Sequence, residues 1–135
     1  MTLDEAAVAQ HAAGPDPGER ARRAATVAAG ALADAAMRHF YSYAHRGPGL
    51  RGGSFTAAPS APTVVEFQLD GVRFVSDATV DGTGSWRMSG TGHFHGDLIV
   101  RQPRMPAVHV TLDWDETTRV ARAKVAGATL TLPAP

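Results

Sequence analysis

The chain has 135 residues, thirteen acidic side chains balanced by thirteen lysines and arginines, and no cysteine. That length fits one domain with a modest core. Zero net charge supplies no general pull toward nucleic acid or an anionic membrane, and the missing cysteine removes disulfides, thiolate nucleophiles and thiolate metal ligands together.

Met1 to Gln10 lacks the basic-then-apolar order of a signal peptide. No apolar stretch is long enough to span a bilayer. The expectation is a soluble cytoplasmic protein with no nucleic-acid or membrane partner. A single lysine (Lys124), a single isoleucine (Ile99) and no asparagine, beside abundant Ala, Gly, Arg and Pro, read as the codon bias of a GC-rich bacterial genome.

In chain order, Thr2 and Glu5 have capping-box spacing, which predicts a short helix over 3–13 stopped by Gly14 and Pro15. Its apolar face (Leu3, Ala7, Val8) is too small to anchor it firmly. A second helix is predicted over 16–46. Asp16 is placed to cap it, Pro17 suits its first position, and Gly47-Pro48 ends it. Leu32, Ala36, Phe40 and Tyr43 form its apolar stripe, and Asp34 and Arg38 make an i, i+4 pair opposite. Its alanine-rich first half can lie close to a flat surface, with Gly30 as a point of bending.

Beyond Leu50 the period changes to two. Val65, Phe67 and Leu69 alternate with Glu66 and Gln68, and Asp70-Gly71 is a strong hairpin signal that would set Leu69 opposite Val72. Asp81-Gly82-Thr83-Gly84 and Ser89-Gly90-Thr91-Gly92 are turn or bulge candidates. Phe94, Leu98 and Val100 share one strand face, with His93, His95, Asp97 and Ile99 on the other. A turn over 102–106 leads to Val108, Val110, Leu112 and Trp114 inside, with His109, Thr111, Asp113 and Asp115 outside. In the last strand, about 119–132, Ala121, Ala123 and Val125 point inward, and Gly127 marks a bulge before Leu130 and Leu132. The fold class expected is α+β: N-terminal helices packed on an antiparallel β-sandwich or small β-barrel of about six strands, over 53–132, with the aromatic helix stripe over an open edge or mouth.

Three constellations bear on chemistry. His93-Phe94-His95, with Asp97 and His109, has the ligand types of a cupin-like metal centre. The turn at 102–106, however, puts His109 opposite Ile99, about 13 Å along the strand from His95, and sets His95 against Asp113 and His93 against Asp115. Two cross-strand His–Asp pairs on a wet face account for the pattern without metal. The helix segment from His39 to His45, with Tyr41 and Tyr43, could line an aromatic pocket; its bland reading is core rings and solvated histidines. Trp86 and Trp114 divide in the same way between core and ligand platform. No nucleophile elbow, phosphate-binding loop or dinucleotide fingerprint is present.

The runs Leu50-Arg51-Gly52-Gly53-Ser54-Phe55, Phe67-Gln68-Leu69-Asp70-Gly71-Val72-Arg73-Phe74-Val75 and Gly96-Asp97-Leu98-Ile99-Val100, with the closing Leu132-Pro133-Ala134-Pro135, resemble the C-terminal β-domain that follows the catalytic module of some bacterial secreted α/β-hydrolases. The resemblance covers about residues 50–135 and implies a β fold. It carries no catalytic residue, because that active site belongs to the module missing here.

Three functional readings stay open. The first is a cofactor-independent small-molecule-binding β-domain, with a hydrophobic ligand near Tyr41, Tyr43, Trp86, His93 and His95. Its catalytic form is a cyclase of bacterial natural-product metabolism that works by shaping its substrate. The second is a non-catalytic interaction or accessory domain, self-association included. The third is the cupin-like enzyme using His93, His95 and His109. An apolar cavity favours the first, a filled interior with an exposed apolar patch the second, and converging histidines the third.

Overall fold

The computed structural model describes residues 17–42, 46–48, 52–75, 77–90 and 92–135. The short helix expected over 3–13 lies outside them, as does Asp16. One helix, α1 (Pro17–Ser42), is followed by eight strands: β1 (Arg46–Pro48), β2 (Ser54–Ala61), β3 (Val64–Val75), β4 (Ala78–Arg87), β5 (His93–Arg101), β6 (Val108–Asp115), β7 (Val120–Val125) and β8 (Ala128–Pro133). The strands form a single antiparallel meander in which each pairs with its sequence neighbours. The fold is α+β, but the sheet neither closes into a barrel nor splits into a sandwich. Its first and last strands are edges. The second layer that a sandwich would supply is α1, which lies across β3 to β8.

The helix packs through the side that has almost no side chain. Ala24, Ala25, Ala28, Ala31, Leu32 and Ala35 are buried, along with Val27, Ala29 and Ala36. The alanine-rich half is therefore the principal contact, and the aromatic end is not. Beneath Leu32, Gly84 of β4 pairs directly with Gly96 of β5. A Cβ on Gly84 would come within 2.5 Å of Leu32 Cδ1, and one on Gly96 within 3.1 Å of Cδ2. The run Asp81-Gly82-Thr83-Gly84 is thus not a turn. It is the middle of β4, paired residue for residue with β5, and glycine there makes room for the helix. Gly30 likewise faces Phe74, where a Cβ would sit 2.3 Å from a ring carbon. It serves close approach, and α1 runs unbroken through it.

Three other expectations are corrected. Asp70-Gly71 does not turn the chain; both residues lie inside β3, where the register steps from Leu69↔Gly82 to Val72↔Val80. Two residues there oppose Asp81 alone. Gly71 takes φ +59°, and its N–H donates to Asp81 Oδ1 at 2.8 Å. That is the geometry of a bulge opened by a left-handed glycine. The segment Arg46–Pro48 is strand β1, paired with Ser54–Thr56, and α1 ends earlier at Ser42. A residue before proline is pushed toward extended backbone, and β2 offers partners for it. Finally, Ala126 and Gly127, both at positive φ, form a two-residue β7–β8 turn rather than a bulge, with Val125 opposite Ala128.

Elsewhere the alternation holds. Phe94, Leu98, Val100, Val110, Leu112, Trp114, Ala121, Ala123, Val125 and Leu132 are buried against the helix side, and no polar or charged residue is buried among the described residues. Arg23 fastens α1 to the β3–β4 turn, its Nη2 donating to both carboxylate oxygens of Asp77 at 2.7 and 2.8 Å. Arg22 Nη1 donates to the carbonyl of Thr131 in β8 at 3.0 Å. No helix among the described residues is long and apolar enough to cross a membrane.

The seating of Leu32 on the glycine pair makes a measurable demand. Gly84→Ala is expected to destabilise the fold by about 1–3 kcal/mol through overpacking, and Leu32→Ala by about 2–5 kcal/mol through the cavity it leaves. In the Leu32→Ala background the alanine at 84 finds space, so the double variant should be more stable than the sum of the two predicts. Chemical denaturation of the four proteins measures this; strict additivity would show that Leu32 does not fill the space above Gly84.

Candidate functional site

Cross-strand pairing sets Val65 beside Trp86, Trp86 beside Phe94 and Phe94 beside Trp114, all on the helix side of the sheet. The three rings stack. Trp86 and Phe94 have centroids 5.4 Å apart and planes 9° apart; Phe94 and Trp114 are at 4.6 Å and 12°. Phe40, near the end of α1, leans over Trp86 at 5.9 Å and 59°. Its neighbour one turn back, Met37, is 56 % exposed and Phe40 itself 55 %.

These rings floor a cleft of about 750 Å³ that opens to solvent. One wall is α1, with Ala33, Ala36, Met37 and Phe40. The other comprises Glu116, Thr118 and Arg119 after β6, with the closing Pro133, Ala134 and Pro135. The two segments of this second wall are tied by the Ala134 N–H donating to the Arg119 carbonyl at 3.1 Å. The Trp86 Nε1 donor is buried without a hydrogen-bond partner, an arrangement that costs about 1–3 kcal/mol.

The residues singled out from sequence do not converge. Trp86 lines the cleft. His93 and His95 flank Phe94 in β5 and so project from the opposite face of the sheet. Tyr41 lies within α1, its side chain outside the described residues, and Tyr43 lies outside them altogether. Phe94, Trp114, Met37, Phe40 and Arg119 were not singled out together, although the register that sets His95 against Asp113 already sets Phe94 against Trp114.

On the outer face the histidines pair with carboxylates as the register requires. His93 Nδ1 lies 2.7 Å from Asp115 Oδ1 and its Nε2 3.0 Å from Asp113 Oδ1. His95 Nδ1 shares the same Asp113 oxygen at 3.1 Å, and His109 Nε2 meets Asp97. Ile99 opposite His109 and Asp113 opposite His95 leave His109 about four residues, or about 13 Å, from His95 and about six residues, or about 20 Å, from His93. The three-histidine metal centre therefore does not assemble, and no group of three or more His, Asp or Glu side chains is placed to hold a metal ion among the described residues. A second depression on this face, about 470 Å³, is bordered by polar side chains including Glu66, Gln68, Ser85 and His95.

Comparison with protein-family models, with curated proteins and with solved structures gives no match to this chain.

Because both ring nitrogens of His93 face carboxylates, only the imidazolium can donate to both. Its pKa is raised, chiefly by the hydrogen bond to Asp115; partial burial is the next largest effect and opposes it, and the hydrogen bond to Asp113 and the charges of both carboxylates add to the rise. A folded-state pKa above the unfolded value means this stabilisation is complete below about pH 6.5 and is lost as pH rises through the folded pKa. His93→Gln should therefore lower the melting temperature more at pH 6 than at pH 9. The difference corresponds to about 0.5 kcal/mol for so exposed a cluster and shrinks in high salt. An equal effect at both pH values would show that His93 is not held as a cation.

Proposed function

We propose that the chain is a small-molecule-binding domain whose ligand occupies the cleft between the end of α1 and the closing residues 133–135. The observation that carries this reading is the floor of three stacked aromatic rings beneath a cleft of about 750 Å³. That volume is within the range of about 300–1,000 Å³ usual for ligand sites, and its walls are largely apolar with a few polar groups at the margin. Cyclisation by shaping a flexible substrate would be the catalytic form of the same reading. It calls for an enclosed cavity that excludes water, whereas this cleft is open, so binding is the activity we infer.

A second reading, an accessory domain that docks on another protein, is favoured by Met37 and Phe40 exposed side by side on α1. It also fits what the hydrolase-domain resemblance implies. The two readings divide at the tryptophans. A ligand inside the cleft perturbs Trp86 and Trp114 together, while a partner covering Met37 and Phe40 reaches Trp86 through Phe40 and leaves Trp114 unchanged.

The chain contains two tryptophans, and both line the cleft, so its intrinsic fluorescence reports on this site. Titration with 2-naphthol should give saturable quenching, with binding heat in calorimetry. Phe40→Ala removes one wall and should weaken binding about fivefold, a loss of about 1 kcal/mol. Non-saturable quenching, or equal affinity in the Phe40→Ala variant, would remove the cleft as the binding site.

A further inference from the structure

The ladder's geometry limits what can lie on it. Ring spacings of 5.4 and 4.6 Å bracket the inter-strand distance of about 4.8 Å. The rings are also nearly parallel, so they stand up from β4, β5 and β6 and stack along the hydrogen-bonding direction of the sheet. Both faces of Phe94 are then covered by the two tryptophans, and one face of each tryptophan by Phe94. What the ladder turns toward the helix and the cleft is ring edge. The small residual exposures agree: Trp86 8 %, Phe94 5 % and Trp114 5 %.

Ring edges are the positive ends of the aromatic quadrupole, and they attract the negative face of another ring in edge-to-face contact. Three edges in a row, spanning about 10 Å over two strand steps, make a floor that one flat conjugated molecule can cover at once. A flexible alkyl chain would bury area there without that electrostatic contribution and would lose more conformational entropy on binding. Tilted at 59° to Trp86, Phe40 is placed as a side wall, not as a further rung of the stack.

Charge narrows the class further. Arg119 is the cationic member of the lining, and its guanidinium has no hydrogen-bond or ion-pair partner among the described residues. Glu116, the acidic member, packs its carboxylate against Gly92, where a Cβ would fall 2.6 Å from Oε2. An unpaired guanidinium at the margin of an apolar cleft favours a carboxylate or similar anion, which it can hold through two N–H groups.

We propose that the cleft takes a planar aromatic anion of two or three fused rings, its π face across the edges of Trp86, Phe94 and Trp114 and its charged group on Arg119. This rests on the reading of the cleft as a small-molecule site, and one set of probes separates the two. Calorimetry and tryptophan fluorescence on the full chain would compare 2-naphthoate, the neutral naphthalene-2-carboxamide and the flexible anion decanoate. Binding of 2-naphthoate should be about five- to tenfold tighter than that of the carboxamide and tighter again than that of decanoate. Arg119→Gln should bring 2-naphthoate down to the level of the carboxamide, and Lys124→Gln, which removes a cation from the outer face of β7 away from the cleft, should leave the order of the three probes intact. Decanoate binding as tightly as 2-naphthoate, or a carboxylate preference that survives Arg119→Gln, would overturn the proposal while leaving a binding site in place. No binding by any of the three would overturn the small-molecule reading itself, and this proposal with it.

Discussion

The distance between α1 and the sheet is the constraint on which the rest of the structure depends. A helix normally stands off a sheet by the thickness of two layers of side chains. Here the helix contributes alanines, and β4 and β5 contribute the pair Gly84 and Gly96, so Leu32 reaches the backbone of the strands. Through that close approach α1 supplies the layer that covers β3 to β8. It also decides where the cover stops. Once the sequence passes from Ala36 to Met37 and Phe40, the helix side chains become too large for that spacing. They are left exposed, and the space between them and the aromatic rungs becomes the cleft.

The same tightness explains why the aromatic residues gather at one end. Bulky inner-face side chains can stand only where the helix is not pressed against the sheet. In β4 and β5 the inner face passes from glycine under Leu32 to Trp86 and Phe94 two residues farther along in one strand and two residues back in the other. Packing volume on one face of the sheet therefore slopes from one end of the helix to the other. Site and scaffold follow from one gradient in side-chain size.

Much of the sheet was legible from the residues because its strands alternate cleanly and a single turn sets the register between β5 and β6. The pairs His95–Asp113, His93–Asp115 and Ile99–His109 follow from that turn alone, and they argue against a shared metal before any geometry is measured. The departures have physical reasons. Asp70-Gly71 satisfies a hairpin and a glycine bulge equally well at the level of a dipeptide, and only Asp81, ten residues away, selects the bulge by accepting from Gly71. The helix boundary near Arg46 was overruled by a strand partner at 54–56 that local spacing cannot reveal. The full cleft is not legible in the sequence because its parts come from α1, three strands, residues 116–119 and residues 133–135, and no short motif joins them. The periodicity of Phe40 marks its side of the helix but not where the covering ends, and the ring is 55 % exposed.

An open meander has two strand edges, and each carries a feature that discourages further pairing. β1 is three residues long and ends in Pro48, which has no N–H to offer. At the other side Pro133 closes β8, and Arg22 reaches from α1 to take the carbonyl of Thr131. An incoming strand would have to displace a charged side chain at one edge and pair with a shortened, donor-poor ladder at the other. Addition of further strands, the route by which flat β proteins polymerise into fibres, is thus opposed most directly at β8, where the same helix that fills the core also holds a carbonyl of the edge strand.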